Sequence, residues 1–190
     1  MVLIALFCGS AFAQDPPPPV KEYNASAWKE FKSTEGKFSV SLPGIPKPDV
    51  RTMDTGIGKL TTHSFALQTD LGTYYIAYIE FPASPTTPEE TRDALDSARD
   101  HALAGGGRLL DEKDIRIDGG GLGRELLVEN HGWIMKARYF YFKDCLYQII
   151  FSTLPEVVFK NGKPSANAAD RTELFEMVSK KFFDSLKVTR

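Results

Sequence analysis

The sequence predicts an α+β fold, in which an antiparallel sheet carries one helix inserted mid-chain and a second helix near the C-terminus. Apolar and polar residues alternate through several short segments, as in half-buried strands, whereas two longer segments repeat apolar residues every three or four positions. Strands and helices do not alternate as they do in a doubly wound fold. The 190 residues and the formal net charge of -2 suit one domain and give no basic footprint for nucleic acid.

The first residues have the pattern of a targeting segment. Residues 1–13 form an apolar run that ends in the cleavage pattern Ala11-Phe12-Ala13, which predicts a secretory signal peptide too short to span a bilayer. Lipidation of Cys8 is the less favoured alternative, because Phe7 occupies a position that usually holds a small residue. Residues 14–27 are proline-rich and predict an extended linker. We therefore expect an exported protein, periplasmic or secreted, that is cleaved after Ala13.

Residues 28–190 are expected to form the single α+β domain. Phe38, Val40 and Leu42 alternate with polar residues and predict the first strand of the sheet, which Pro43 and Pro46 then end. Further strands are predicted over 50–54, 59–68 and 73–81. A helix follows them, because Thr87 and Pro88 suit its first positions and the glycines of 105–107 suit its end.

The second half predicts a four-strand meander and the last helix. Strands over 108–117, 123–130, 133–142 and 145–153 are joined by short turns, and the helix covers 170–186. Counting outwards from the turns places Leu126 opposite Ala137 and Glu125 opposite Arg138. One face of this meander is then apolar, and the other combines charged side chains with aromatic ones.

The charged part of the mixed face is the candidate functional site. If the loop is Gly119 to Leu122, Arg116 lies opposite Glu125, and Arg116, Glu125 and Arg138 form a row with Lys136 nearby. One hypothesis is a cross-strand ladder that determines the register. The other is a partner-binding site of Arg116, Glu125, Lys136 and Arg138. In this site the two arginines bind a carboxylate or phosphate, provided that the helix covers only the aromatic end of the face.

The other reactive side chains predict no catalytic, cofactor or metal site. His63, His101 and His131 fall on a strand, a helix and a turn, without the spacing of zinc ligands. The segment DGGGLG precedes a strand rather than a helix, which favours a hairpin turn over a phosphate-binding loop. Cys145 shares an apolar strand face with Tyr147, as an inert buried thiol would.

Two parts of the chain resemble known proteins. The stretch GKFSVSLPGIPKP, residues 36 to 48, and the segment from Gly107 to Phe151 resemble secreted bacterial proteins of unknown function. These proteins look similar to the PsbP-like fold, named for an extrinsic subunit of photosystem II. The resemblance covers most of residues 28–188. It implies an α/β/α sandwich and a role in binding or assembly, and it identifies no functional residue.

Together these observations favour an exported, non-enzymatic binding or assembly module. Its expected partner is an unknown protein or a small anionic ligand, and we expect no nucleic acid and no membrane span. The alternative is a small exported hydrolase whose site is assembled from scattered residues, because active sites need not show as local motifs.

Overall fold

The computed structural model describes residues 25–56, 58–81, 85–117, 121–142, 144–153 and 168–189. These form a mostly antiparallel β structure with two helices, as the α+β prediction requires. The helices are α1, Pro88–Leu103, and α2, Ala168–Asp184. The strands are β1 Lys29–Ser33, β2 Phe38–Leu42, β3 Lys47–Thr55, β4 Gly58–Thr69, β5 Gly72–Glu80, β6 Arg108–Arg116, β7 Leu122–Asn130, β8 Trp133–Phe142, β9 Cys145–Thr153 and β10 Lys187–Val188.

Seven strands form the main sheet, in the order β3-β4-β5-β9-β8-β7-β6. Every neighbouring pair in it is antiparallel. Glu125 pairs with Arg138, and Leu126 pairs with Ala137, which is the register that counting from the His131-Gly132 turn predicts. The two-residue turn sets this register, and a one-residue slip would move Leu126 from the core to the opposite face.

The strand at Phe38–Leu42 is not the first strand of the main sheet, which corrects the prediction. It is the centre of a separate three-stranded sheet, between β1 and β10. The strand ends where Pro43 follows, as predicted, but residues 43–46 then lead to β3 in the other sheet. The sequence KEFKS of β1 and the two residues of β10 lack an apolar alternation of their own, so only pairing with β2 makes them strands.

Helix α1 begins with a capping box. The Glu90 amide donates to the Thr87 hydroxyl at 3.1 Å, and the Thr87 amide donates to the Glu90 carboxylate at 3.2 Å. Pro88 occupies the first turn, where its missing amide proton costs nothing. The helix ends at Leu103, and Gly105 and Gly106 follow it with φ of 86° and 100°, which a residue with a side chain adopts only under strain.

Two apolar clusters lie on opposite faces of the main sheet. Along β8, Tyr139 belongs to the first cluster and Phe140 to the second, and successive strand residues point to opposite faces. Leu95 and Ala98 of α1 complete the first cluster against β7 and β8. Side chains of α2 and of the small sheet complete the second cluster; among them are Val178, Phe182, Phe38, Val40 and Leu42.

Several sequence predictions lie outside the described residues. They include the signal peptide of residues 1–13, the linker up to residue 24, and the glycine turn of residues 118–120. No helix in the part of the chain that the structure describes is long and apolar enough to cross a membrane.

Candidate functional site

Strand β7 buries two consecutive charged residues, one on each face of the main sheet. Arg124 is 7% exposed and Glu125 is 4% exposed. Burying a lone charge is costly, so each must be surrounded by opposite charges. The resulting clusters differ in their access to solvent.

Glu125 is the centre of the cluster on the α2 side. Its Oε1 atom lies 2.8 Å from the Lys113 ammonium and 3.9 Å from the Lys136 ammonium, and its Oε2 atom lies 2.5 Å from Nε of Arg138. Lys113 and Arg138 are the register partners of Glu125 on β6 and β8. Both carboxylate oxygens are therefore occupied by cations.

Arg116 does not belong to this row, which corrects the predicted geometry. It pairs with Leu122, and Lys113 takes the position opposite Glu125. The strand β7 begins at Leu122 and not at Gly123, and Ile117 donates to the Gly121 carbonyl at 3.1 Å, so the connection is shorter than predicted. The register moves by three residues, and an odd shift carries Arg116 to the opposite face.

Helix α2 adds acidic side chains along one edge of this cluster. Glu176 is 2.6 Å from the Lys136 ammonium, and Asp184 is 3.3 Å from a terminal nitrogen of Arg138. The Arg138 guanidinium also lies 5.0 Å from the ring centroid of Phe183. Arg138 is thus held by Glu125, Asp184 and Phe183, and Arg116 lies on the opposite face, so the anion-binding pair of arginines, one of the two hypotheses, is not formed.

The electrostatic surroundings keep Glu125 ionised. Burial by itself raises the pKa of Glu125, but hydrogen bonds from Lys113 and Arg138, with the nearby Lys136, outweigh it and hold the pKa below the ordinary value. A carboxylate of this kind does not release a proton to a substrate near neutral pH, so the cluster is unsuited to general acid catalysis.

An open cleft lies beside Glu125, between the strands and α2. Its volume is about 180 Å³, which is room for about six water molecules. Lys113 is 56% exposed at its side chain, whereas Lys136 is 14% exposed. The cleft is lined by Asp111, Lys113, Glu125, Leu126, Leu127, Lys136 and Glu176. Two of the predicted site residues, Glu125 and Lys136, are therefore brought together here.

The cluster around Arg124 faces α1. Its guanidinium contacts Asp96 of α1 and lies 3.0 Å from Glu112 and 3.2 Å from Asp114 of β6. Burial lowers the pKa of Arg124, but these carboxylates outweigh that effect and raise it. Because Arg124 is fully surrounded, the cluster serves to join the helix to the sheet.

The remaining reactive side chains lie apart from one another. Burial, and then the charge of Glu80, raise the pKa of Cys145, which keeps its sulfur as a weakly nucleophilic thiol. His63 stacks on Tyr78 with ring centroids 4.7 Å apart, and His131 lies in its predicted turn, where Nε2 is 3.0 Å from the Gly105 carbonyl. Within the described ranges, no group of His, Cys, Asp or Glu side chains is placed to hold a metal ion.

Sequence reasoning missed Lys113, Asp111 and Glu176. The alternation of β6 was visible, but its register depends on a glycine-rich turn that accepts several lengths. Glu176 comes from a helix far along the chain, and no local pattern connects it to Lys136. Counting from a shorter connection between β6 and β7 would have placed Lys113, rather than Arg116, opposite Glu125.

Comparisons with known proteins identify the fold. No protein-family model matches the chain, and no curated protein matches it. The solution structure of cyanobacterial PsbP (CyanoP) from Synechocystis sp. PCC 6803 is similar with a TM-score of 0.54 and 14% identity, over 90% of this chain and 98% of that one. A protein of unknown function from Pseudomonas aeruginosa, PA94, gives a TM-score of 0.38 and 9% identity, over 82% of this chain and 95% of that one.

The class that these observations define is the PsbP-like fold. It rests on the mostly antiparallel sheet with two helices and on the likeness to CyanoP. At 14% identity this likeness concerns the fold alone.

Proposed function

We propose that this chain is an exported binding module that takes an acidic group of its partner in the cleft beside Glu125. The observation that carries the proposal is the convergence of two lysine ammoniums, Lys113 and Lys136, on one carboxylate oxygen at an opening to solvent. Each ammonium has three hydrogen-bond donors, and a ligand would use those that Glu125 and Glu176 leave unoccupied.

Charge and access favour Lys113 as the first contact. Its side chain is 56% exposed, and Glu125 is its one ion-pair partner among the described residues. Lys136 lies deeper and also contacts Glu176. A partner carboxylate or phosphate would meet Lys113 at the surface and then Lys136, and charge-assisted hydrogen bonds of this kind are the strong ones.

Affinity capture from the envelope of the source organism tests this function, with the protein beginning at Gln14 as bait. We expect Lys113→Glu to lose the captured partner, because it places a negative charge at the mouth of the cleft. Arg116→Glu is the matched control, since Arg116 lies on the same strand but on the opposite face. A partner that the Lys113 variant retains and the Arg116 variant loses would overturn the assignment.

Export is the second part of the proposal and has its own test. The pattern at Ala11-Phe12-Ala13 supports cleavage that leaves Gln14 as the first residue of a periplasmic or secreted protein. Mass spectrometry of the exported protein measures that terminus. A lipid adduct on Cys8 would replace this proposal with membrane anchoring.

A further inference from the structure

The cleft beside Glu125 carries acidic groups as well as lysines. Asp111 lies on β6 two residues before Lys113, and it pairs with Leu127 of β7. Asp111 makes no hydrogen bond or ion pair with the other described residues, although it lines the cleft. The charge of Lys113 acts on Asp111 without forming an ion pair with it, and the exposed Asp111 carboxylate can bind a cationic group.

The side chains in and beside the cleft form two parallel rows across β6, β7 and β8. The first row is Lys113, Glu125 and Arg138, in which two cations flank one carboxylate and leave one net positive charge. The second row is Asp111, Leu127 and Lys136. In this second row Leu127 separates Asp111 from Lys136, which lie on strands about 10 Å apart.

Asp111 and Lys136, at the two ends of the second row, differ in their ion-pair partners. Lys136 is shared between Glu176 at 2.6 Å and Glu125 at 3.9 Å, and Lys113 stands beside it with a single carboxylate partner. A carboxylate entering between the two ammoniums would add an acceptor to both. Without a positive charge of its own, however, that ligand would also meet the carboxylates of Asp111, Glu125 and Glu176, which repel it.

We propose that the ligand of this cleft is a compact zwitterion of the α-amino-acid class. Its carboxylate is bound between Lys113 and Lys136, its ammonium is bound by Asp111, and its carbon atoms lie over Leu127. This inference rests on the proposed function and deepens it, because a simple anion would use the lysines alone. The volume of about 180 Å³ leaves room for a small amino acid.

The test uses alanine and two analogues that each lack one of its charged groups, propionate and ethylamine, in titrations followed by backbone amide NMR at neutral pH. Alanine has both charges, propionate has the negative one, and ethylamine has the positive one. We expect alanine to shift the amides of residues 111–113 and 125–127 and to bind about tenfold more tightly than either of the other two.

Two variants test the roles of the charged groups. Asp111→Asn should remove the advantage of alanine over propionate without weakening propionate, and Lys113→Gln should weaken both. Arg116→Gln and Asp93→Asn are the matched controls, since both residues are exposed and neither lines the cleft. All four substitutions are at surface positions, and the amide spectrum itself reports whether each variant is folded.

The outcomes separate this inference from the proposed function. Propionate binding as tightly as alanine would overturn the zwitterion and leave an acid-binding cleft in place. Alanine binding that is unchanged in Asp111→Asn would also overturn the inference. If none of the probes shifts the amides of the cleft, the inference fails, and the capture experiment alone then decides the proposed function.

Discussion

Glu125 shows how a single residue connects folding to pH. The carboxylate is almost fully buried, and its two oxygens form ion pairs with Lys113, Lys136 and Arg138. Removing one partner of a buried ion pair leaves the other charges without compensation, which typically costs more than the pair itself contributes. Glu125 is therefore more important to the stability of this region than to any proton transfer.

We predict that Glu125→Gln lowers the free energy of unfolding by about 3 kcal/mol, because three cations would then converge on a neutral amide. Urea denaturation measures the change. Glu129→Gln is the control on the same face of the same strand, and we expect it to cost less than about 1 kcal/mol because Glu129 is more exposed.

The same variant also changes the pH dependence of stability. The folded protein holds the pKa values of Glu125 and Asp184 below their ordinary values. Their contribution is therefore complete above the unfolded pKa values of about 4, and it is lost as the pH falls below them. The urea midpoint of Glu125→Gln should fall less steeply than that of the wild type between about pH 5 and pH 3. Equal slopes would contradict this explanation.

Cys145 is the second residue with a measurable consequence. It is half-buried beside the second apolar cluster, and burial and Glu80 raise its pKa. Because the thiolate is the reactive form, native labelling by a thiol reagent at pH 7 should be slow and should accelerate in denaturant. Labelling at the same rate with and without denaturant would show that the thiol is accessible in the folded protein.

At the scale of elements, the edges of the main sheet are protected against pairing with other chains. The edge strand β3 carries Pro48 and several charged residues, and the other edge strand, β6, has a bulge between Leu109 and Asp111. Proline, charge and bulges are the devices by which natural sheets limit edge-to-edge association. This protection disfavours the addition of a strand from another chain at either edge of the main sheet.

Helix α1 depends on its capping box for a defined start. Thr87→Ala removes the hydroxyl that accepts from the Glu90 amide, so we predict a loss of about 1 kcal/mol in the free energy of unfolding. Ser97→Ala, within the same helix, is the control, and the higher helix propensity of alanine should make it neutral or slightly stabilising. Thermal or urea unfolding measures both variants. Equal effects at the two positions would contradict the role of the cap.

At the scale of the whole molecule, the two ends of the described chain meet on one strand. β1 and β10 pair with opposite edges of β2, and the Thr189 amide donates to the Lys37 carbonyl at 2.7 Å. The Ser41 amide also donates to the Ser185 hydroxyl at 2.9 Å. The small sheet is therefore complete only when residues near the C-terminus have joined it.

Deleting residues 187–190 should accordingly lower the free energy of unfolding by about 2 kcal/mol, since it removes the hydrogen bonds of β10 and the packing of Val188 against the second cluster. Lys187→Ala keeps the backbone pairing and should change the stability little. Chemical denaturation compares the two. A deletion as stable as the substitution would mean that β10 contributes nothing to the small sheet.

The sequence by itself determined the parts that depend on neighbours in the chain. The alternation of β7 and β8 and the His131-Gly132 turn predicted the pairing of Glu125 with Arg138, because a tight turn leaves one register. Thr87 and Pro88 predicted the start of α1, because helix capping also depends on residues that are neighbours in the chain.

Only the tertiary structure decided which residues meet across long separations. The glycine-rich connection left the register of β6 open, so Lys113 and not Arg116 reached Glu125. The small sheet joins strands that lack a pattern of their own, and Glu176 reaches the cleft from α2, because these contacts form only through packing between distant segments.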